Sequence, residues 1–306
     1  MAQSARWYMD VAGQILAGMG TRTNDALQEF VEKNGLSDGI DLNLVQVAYG
    51  FSPEPIIAEF LSRRTPYANP DPLVAQMDGA VERGWLEALG EDRYKISARG
   101  AEVTAGLFEL ADGVFGAVQP LPDDELSRIV ELLFTVVETA RQLPEPEDKW
   151  ALSWGEKFDR GPDAPLMVRA RRHLLDLLSY RDDVHVAAWR PYGISGQEWE
   201  AFTLVCRGEA ATPAELVEKL PYRRYDEAAY QDALENLVAR GWIEQEHGEY
   251  AATEQGKALR QEAEDATDRY FDAAWASLSE AEMEELQGLL CKLAEALEPA
   301  EDEPEQ

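Results

Sequence analysis

The stretch ERGWLE, residues 82–87, decides the fold, because a close copy of it, ARGWIE, recurs at residues 239–244. Each copy continues through a tyrosine into the pattern Ser/Thr-x-x-Gly, at residues 97–100 and 253–256. The two copies of the glycine-tryptophan pair lie 157 residues apart in a chain of 306. A repeat of several landmarks at one spacing indicates a duplicated module.

Apolar residues at helical spacing precede each copy, and the following glycine is typical of a helix end. These residues are Leu73, Met77, Ala80 and Val81 in the first copy, and Tyr230, Leu234, Leu237 and Val238 in the second. The segment after each glycine predicts a short strand, a turn and a second strand, which is the layout of a wing. Upstream, residues 50–67 and 208–225 predict a turn, a short helix and another turn. The sequence therefore predicts a helix-turn-helix with a wing in both halves.

A long helix and a final amphipathic helix are predicted after each wing. With these elements, residues 40–140 and 195–297 resemble the winged helix-turn-helix modules of the multiple-antibiotic-resistance regulator (MarR) family. In that family two chains pair through their first and last helices into a two-fold dimer on DNA. The resemblance implies a covalent pseudo-dimer, mainly α-helical with short β wings, whose two modules are joined by a helical dimerisation-like region. Residues 5–19 and 166–189 would be its equivalent leading helices.

The chain divides accordingly into four parts. Residues 1–142 form the first winged-helix repeat with its leading and trailing helices, and residues 166–297 form the second. Residues 143–165 are rich in proline, glycine and acids and are interpreted as a linker. The tail, residues 298–306, is predicted to be acidic and disordered.

Composition excludes several classes of protein. The sequence has no apolar run of 18 residues and no signal-peptide pattern, which predicts a cytoplasmic protein that does not enter a membrane. Its two cysteines lack a CxxC spacing and only three histidines are present, so no metal or other cofactor is expected. Nucleotide-binding and hydrolase motifs are absent, and the chain is not expected to be an enzyme.

DNA binding is the function that the resemblance implies, yet the charge opposes it. The net charge is −31, from 28 basic and 59 acidic side chains. Both predicted recognition helices are acidic, and DNA affinity rests largely on Lys and Arg neutralising phosphates. The candidate DNA-binding residues are those of the two turns and the first wing: Arg63, Arg64, Arg93, Lys95, Arg223 and Arg224. These arginines have an alternative interpretation as ordinary solvated surface residues.

A second candidate site lies in residues 179–199, where helical spacing places Arg181, His185 and Trp189 on one face. With Trp199 and Trp275, they form the predicted ligand-binding set for a small aromatic molecule, since aromatic faces with a few polar groups are typical of pockets. The alternative is a packed centre of the pseudo-two-fold in which the polar groups satisfy one another.

Two functions therefore remain open. The first is a ligand-responsive transcriptional regulator that binds duplex DNA as a monomeric pseudo-dimer. The alternative is an acidic winged-helix scaffold that has lost DNA binding and binds a protein or a small molecule.

Overall fold

The computed structural model describes residues 5–36, 39–64 and 66–298, with the backbone alone described at 39–41 and 64. The predicted tail beyond residue 298 lies outside the described residues. The first half contains six helices and two strands in chain order: α1 (Trp7–Asn34), α2 (Gly39–Phe51), α3 (Ala58–Arg64), α4 (Pro72–Glu82), β1 (Leu86–Gly90), β2 (Arg93–Ile96), α5 (Ala98–Ala117) and α6 (Asp123–Gln142).

The second half repeats this order after a short helix, α7 (Trp150–Gly155). Its elements are α8 (Leu166–Trp189), α9 (Gly196–Arg207), α10 (Pro213–Lys219), α11 (Glu227–Ala239), β3 (Ile243–Glu246), β4 (Glu249–Ala252), α12 (Glu254–Trp275) and α13 (Glu280–Leu297). Strands β1 and β2 form one antiparallel hairpin, and β3 and β4 form another. The protein is mainly helical with two small sheets, as the sequence predicted.

The repeated Ser/Thr-x-x-Gly pattern has the same structural cause in both halves. Thr253 caps α12 by accepting a hydrogen bond from the Gly256 amide, and Ser97 caps α5 from Gly100 in the same way. A Cβ atom at Gly256 would overlap the carbonyl oxygen of Trp242. The motif therefore fixes the start of the long helix directly against the glycine-tryptophan corner of the wing.

Helices of both halves share the largest core. It is built by α1, α5, α6, α8, α12 and α13. The leading helix of each half packs on the trailing helix of the other, α1 on α13 and α8 on α6. At the first contact, Gly18 lies against the Leu297 carbonyl, which accepts a hydrogen bond from Arg22 at 2.6 Å. This exchange is the arrangement expected around an approximate two-fold axis.

The segment between the halves is packed rather than a bare connection. Helix α7 begins where the amides of Ala151 and Leu152 donate to the Asp183 carboxylate, both at 2.9 Å. Trp154 and Phe158 then lie against Gly50 of α2. The linker therefore covers part of the first half.

Candidate functional site

Arg63 is the turn arginine of the first half whose side chain is described, and an acidic residue already contacts it. Arg63 lies 2.8 Å from Asp148 of the connecting segment, and its guanidinium lies over the Trp150 ring. The side chain of Arg64 lies outside the described residues. The predicted phosphate contact at Arg63 is therefore opposed by a carboxylate that the linker supplies.

In the second half, Arg223 is engaged still more fully. Its guanidinium binds both carboxylate oxygens of Glu200 at 2.7–3.1 Å, and its side chain is only 18 % exposed. Arg224 is exposed and adopts the left-handed conformation, with φ +60°. A phosphate at Arg223, the contact that the sequence predicts, would have to compete with Glu200 in this conformation.

The two wings offer little positive charge. Arg93 is exposed at the tip of the first wing, whereas Lys95 lies 2.9 Å from Glu87 on the neighbouring strand. The second wing exposes Glu244, Glu246 and Glu249. Within the described residues, the basic side chains that were predicted to contact DNA are therefore isolated cations.

The turns that precede α4 and α11 touch each other. The Asn69 amide donates to the Arg223 carbonyl at 2.9 Å, and Asn69 Nδ2 donates to the Arg224 carbonyl at 3.1 Å. Nearby, Trp189 Nε1 donates to the Tyr67 hydroxyl at 3.2 Å. The helices that would read two DNA half-sites are therefore tied together at their N-terminal ends.

The predicted ligand cluster is filled by its own side chains. Trp199 Nε1 donates to His185 Nε2 at 3.3 Å, and the Thr267 hydroxyl lies 3.5 Å from the other ring nitrogen. Burial and neighbouring arginines lower the pKa of His185 to about 4, which keeps the ring neutral. Trp189 stacks on Trp199, with ring centroids 5.9 Å apart. These residues form a satisfied core.

The two remaining members of the cluster also have internal roles. Arg181 lies 3.4 Å from Asp268, which Arg6 also contacts. Trp275 belongs to the central core, where its ring centroid lies 5.0 Å from that of Tyr8. The structure does not bring all five residues into one cleft: Trp275 lies in the central core, and Arg181 pairs with Asp268. Trp199 bonds His185, whereas Trp189 bonds Tyr67.

A cleft of about 150 Å³ lies instead in the first half, between α1, α2, α5 and α8. Its walls are mostly apolar and include Leu27, Leu107, Ala111 and Phe115. Arg171 enters from α8, which belongs to the other half, and its guanidinium lies 4.8 Å from the Phe115 ring centroid. The cleft is therefore shared between the halves.

Arg171 is the chemically unusual group of this cleft. Burial and the neighbouring Arg172 lower its pKa. The carboxylate of Asp112 raises it, but Asp112 already lies 2.7 Å from Arg160. Among the described residues, the Arg171 guanidinium forms no hydrogen bond and no ion pair. A half-buried cation without a carboxylate is costly unless an anion joins it.

The cleft and the filled cluster occupy corresponding places in the repeat. Gly35 ends α1, and Gly193 ends the 3-10 turn, residues 190–192, that follows α8; both glycines adopt the left-handed conformation. Matching these glycines aligns Leu27 with His185. Gly100 of α5 and Gly256 of α12 donate to the capping residues of their helices in the same way. Matching these two glycines aligns Ala111 with Thr267. The polar pair that closes the second half is thus replaced by two apolar side chains in the first.

Sequence reasoning missed the cleft because its walls look like an ordinary apolar helix face. The available signal was the alignment itself, in which an apolar residue stands opposite His185. Arg171 gave no signal, because it comes from the other half of the chain.

Two kinds of site find no support in the described residues. None of the described helices is long and apolar enough to cross a membrane. Across the same residues, no group of three or more histidine, cysteine or acidic side chains is placed to hold a metal ion.

Neither the curated proteins nor the solved structures yielded a similar chain. The family model described as a helix-turn-helix family matches residues 167–304, and this part of the protein therefore contains a helix-turn-helix domain.

Proposed function

We propose that the protein is a ligand-responsive winged-helix regulator of the MarR type, in which both halves derive from one duplicated unit. The helix-turn-helix match supports this for the second half. For the first half, support comes from the same order of elements and from the shared cap-and-glycine corner at Ser97–Gly100 and Thr253–Gly256.

The observation that carries the proposal is Arg171 in the apolar cleft. An apolar cavity of about 150 Å³ accommodates a single benzene-sized ring. The guanidinium offers paired donors that match a carboxylate. We therefore expect a small aromatic carboxylate, with its ring against Leu107 and Phe115 and its charge on Arg171.

Calorimetric titration with benzoate, and with benzyl alcohol as the neutral comparison, tests this site. Benzoate should bind more tightly than the alcohol, and Arg171→Met should remove the difference while leaving the fold intact. Arg269→Met is the matched control, because Arg269 also lies over an aromatic ring, that of Tyr270, but is exposed and outside the cleft. Equal binding of both compounds, or an equal effect of both substitutions, would refute the ligand assignment.

Duplex DNA is the proposed macromolecular partner, through α11 and its counterpart α4. The described conformation does not favour it, because Arg63 and Arg223 are ion-paired and the exposed face of α11 carries Glu227, Asp232 and Glu235. These contacts favour the second candidate, an acidic winged-helix scaffold that has lost DNA binding and binds a protein or a small molecule.

A fluorescence assay with a 40-base-pair random duplex, with and without benzoate, separates the two candidates. At about 20 mM salt phosphate attraction is screened least, so a regulator should bind and its affinity should fall steeply as salt is added. Absence of binding in both conditions, by the original protein and by a Tyr67→Ala variant that loosens the contact between the two turns, would leave the scaffold function.

A further inference from the structure

A short segment of the first half, residues 66–69, is seated in the second half; we call it the clasp. The ring of its Tyr67 packs with the apolar core of the second half, 6.0 Å from the Trp189 ring, and its hydroxyl accepts from Trp189 Nε1. The Arg223 guanidinium lies 5.2 Å from the same Tyr67 ring. Tyr67 is thus half-buried at a contact that its own half does not provide.

The backbone of the clasp is also held closely. The carbonyl of Pro66 lies against Gly196, the first residue of α9, so closely that a Cβ atom at Gly196 would overlap it. Asn69 donates from both its backbone and its side-chain nitrogen to the carbonyls of Arg223 and Arg224. Hydrogen bonds and steric fit therefore specify one docked position.

This docking limits the separation of the two helices that would read DNA. Asn69 precedes the first residue of α4 by three residues, and Arg223 precedes that of α11 by four. One residue spans at most about 3.5 Å, so even fully extended turns would place the two helix starts within about 30 Å of each other. Paired recognition helices contact half-sites about 34 Å apart, chiefly through their N-terminal residues. The docked form falls short of that separation.

The clasp also withholds positive charge. While Tyr67 is seated, the guanidinium of Arg223 is covered by its ring and bound by Glu200. A phosphate approaching this turn would have to replace an ion pair that is already formed. Release of the clasp would uncover one face of this arginine as the helices separate.

We propose that the clasp is an autoinhibitory contact: it holds the two helix-turn-helix motifs too close for two successive major grooves, and binding across two half-sites requires its release. The proposal rests on the proposed DNA-binding function.

The experiment weakens the clasp from each side. Gly196→Ala introduces the overlap with Pro66 while favouring the helix that it begins, and Tyr67→Ala removes the seated ring. Gly288→Ala in α13 is the matched control, since a Cβ atom there meets nothing within 4 Å. Circular dichroism verifies folding, and the Tyr67 variant answers the question if the Gly196 variant fails to fold.

Two readouts separate the inference from the function on which it rests. The distance between spin labels at the exposed Ala75 of α4 and Ala239 of α11 is measured in a Cys206→Ala, Cys291→Ala background, and affinity for the random duplex is measured at low salt. Both clasp variants should lengthen the distance and raise the affinity at least about tenfold, while the control changes neither.

An unchanged distance would overturn the clasp whether or not DNA binds. DNA binding of equal strength by the original protein and by both variants would also overturn it, yet would uphold the proposed function. A longer distance with no DNA binding by any form would overturn the autoinhibitory role together with the DNA-binding function.

Discussion

Arg128 and Glu285 form an ion pair, with 2.9 Å between Nη2 and Oε2, although each is the sixth residue of the trailing helix of its half, α6 and α13. In a two-fold homodimer, identical residues face each other at such a place, and like charges would repel. A single chain is free of that constraint. The contact between α6 and α13 thus uses a complementarity that only two different halves can have.

Reversing one charge of this pair should lower the melting temperature. Arg128→Glu would bring another carboxylate beside Glu131, Glu282 and Glu285, all of which now lie within 3.5 Å of Arg128. The double variant Arg128→Glu, Glu285→Arg should recover part of the loss. Thermal unfolding at low and high salt measures both, and the effect should shrink as salt screens the charges. A double variant no better than the single one would contradict the pairing.

The corner between the wing and the long helix should tolerate no Cβ atom. Gly256→Ala would force the overlap with the Trp242 carbonyl, and overpacking of this kind costs about 1–3 kcal/mol of unfolding free energy. Gly113→Ala in α5 is the control, because nothing lies within 4 Å of its Cβ position, and it should stabilise by roughly 0.5–1 kcal/mol. Urea unfolding of both variants checks this. Equal effects would show that the corner is not tight.

Local patterns predicted this corner, the wings and the helix order, because each depends on residues close together in the chain. The apolar stripes were also largely correct: Met77, Ala80, Leu234 and Leu237 are buried. Val238 is an exception at 37 % exposure. Its position at the edge of the stripe leaves it beside the end of α11, where no other element covers it.

The geometry of the candidate DNA-binding site depends instead on contacts between residues that lie far apart in the sequence. Arg63 meets Asp148 of the connecting segment, and Asn69 meets a turn more than 150 residues away. Neither pairing follows from periodicity or composition. The sequence could not show that the aromatic side chains around His185 fill the space between α8, α9 and α12 themselves, because this depends on their packing.

The pH should change the free energy of unfolding through two groups that have opposite effects. Burial raises the pKa of Asp183 to about 7, so between about pH 4 and 7 the folded chain holds a proton there that the unfolded chain releases. The contribution of Asp183 to the free energy of unfolding therefore falls as the pH rises from about 4 to 7. His185, with a pKa of about 4, acts oppositely, because only the unfolded chain takes up its proton between about pH 6.5 and 4.

Asp183→Asn separates the two contributions. Its amide oxygen can still accept from one of the two α7 amides, whereas its NH2 group cannot accept from the other, and the buried charge is gone. The unfolding free energy of the variant relative to the original should fall by on the order of 2–4 kcal/mol from pH 8 to pH 4, because only the original regains stability there by taking up a proton. Urea unfolding at several pH values measures it, with the exposed Asp182→Asn as control. A pH-independent difference would exclude the titration of Asp183 as its cause.

Filling the cleft with the side chains found at the matching positions of the second half should weaken ligand binding. The double variant Leu27→His, Ala111→Thr copies into the first half the His185–Thr267 pair that lies 3.5 Å apart in the second. Because a histidine and a threonine would then occupy the apolar wall, benzoate should bind at least about tenfold more weakly. The helical content should not change, since both positions lie within long helices. Isothermal titration and circular dichroism give the two readouts. Undiminished binding in a folded variant would show that benzoate binds outside this cleft. Arg171 would then not bind its carboxylate there.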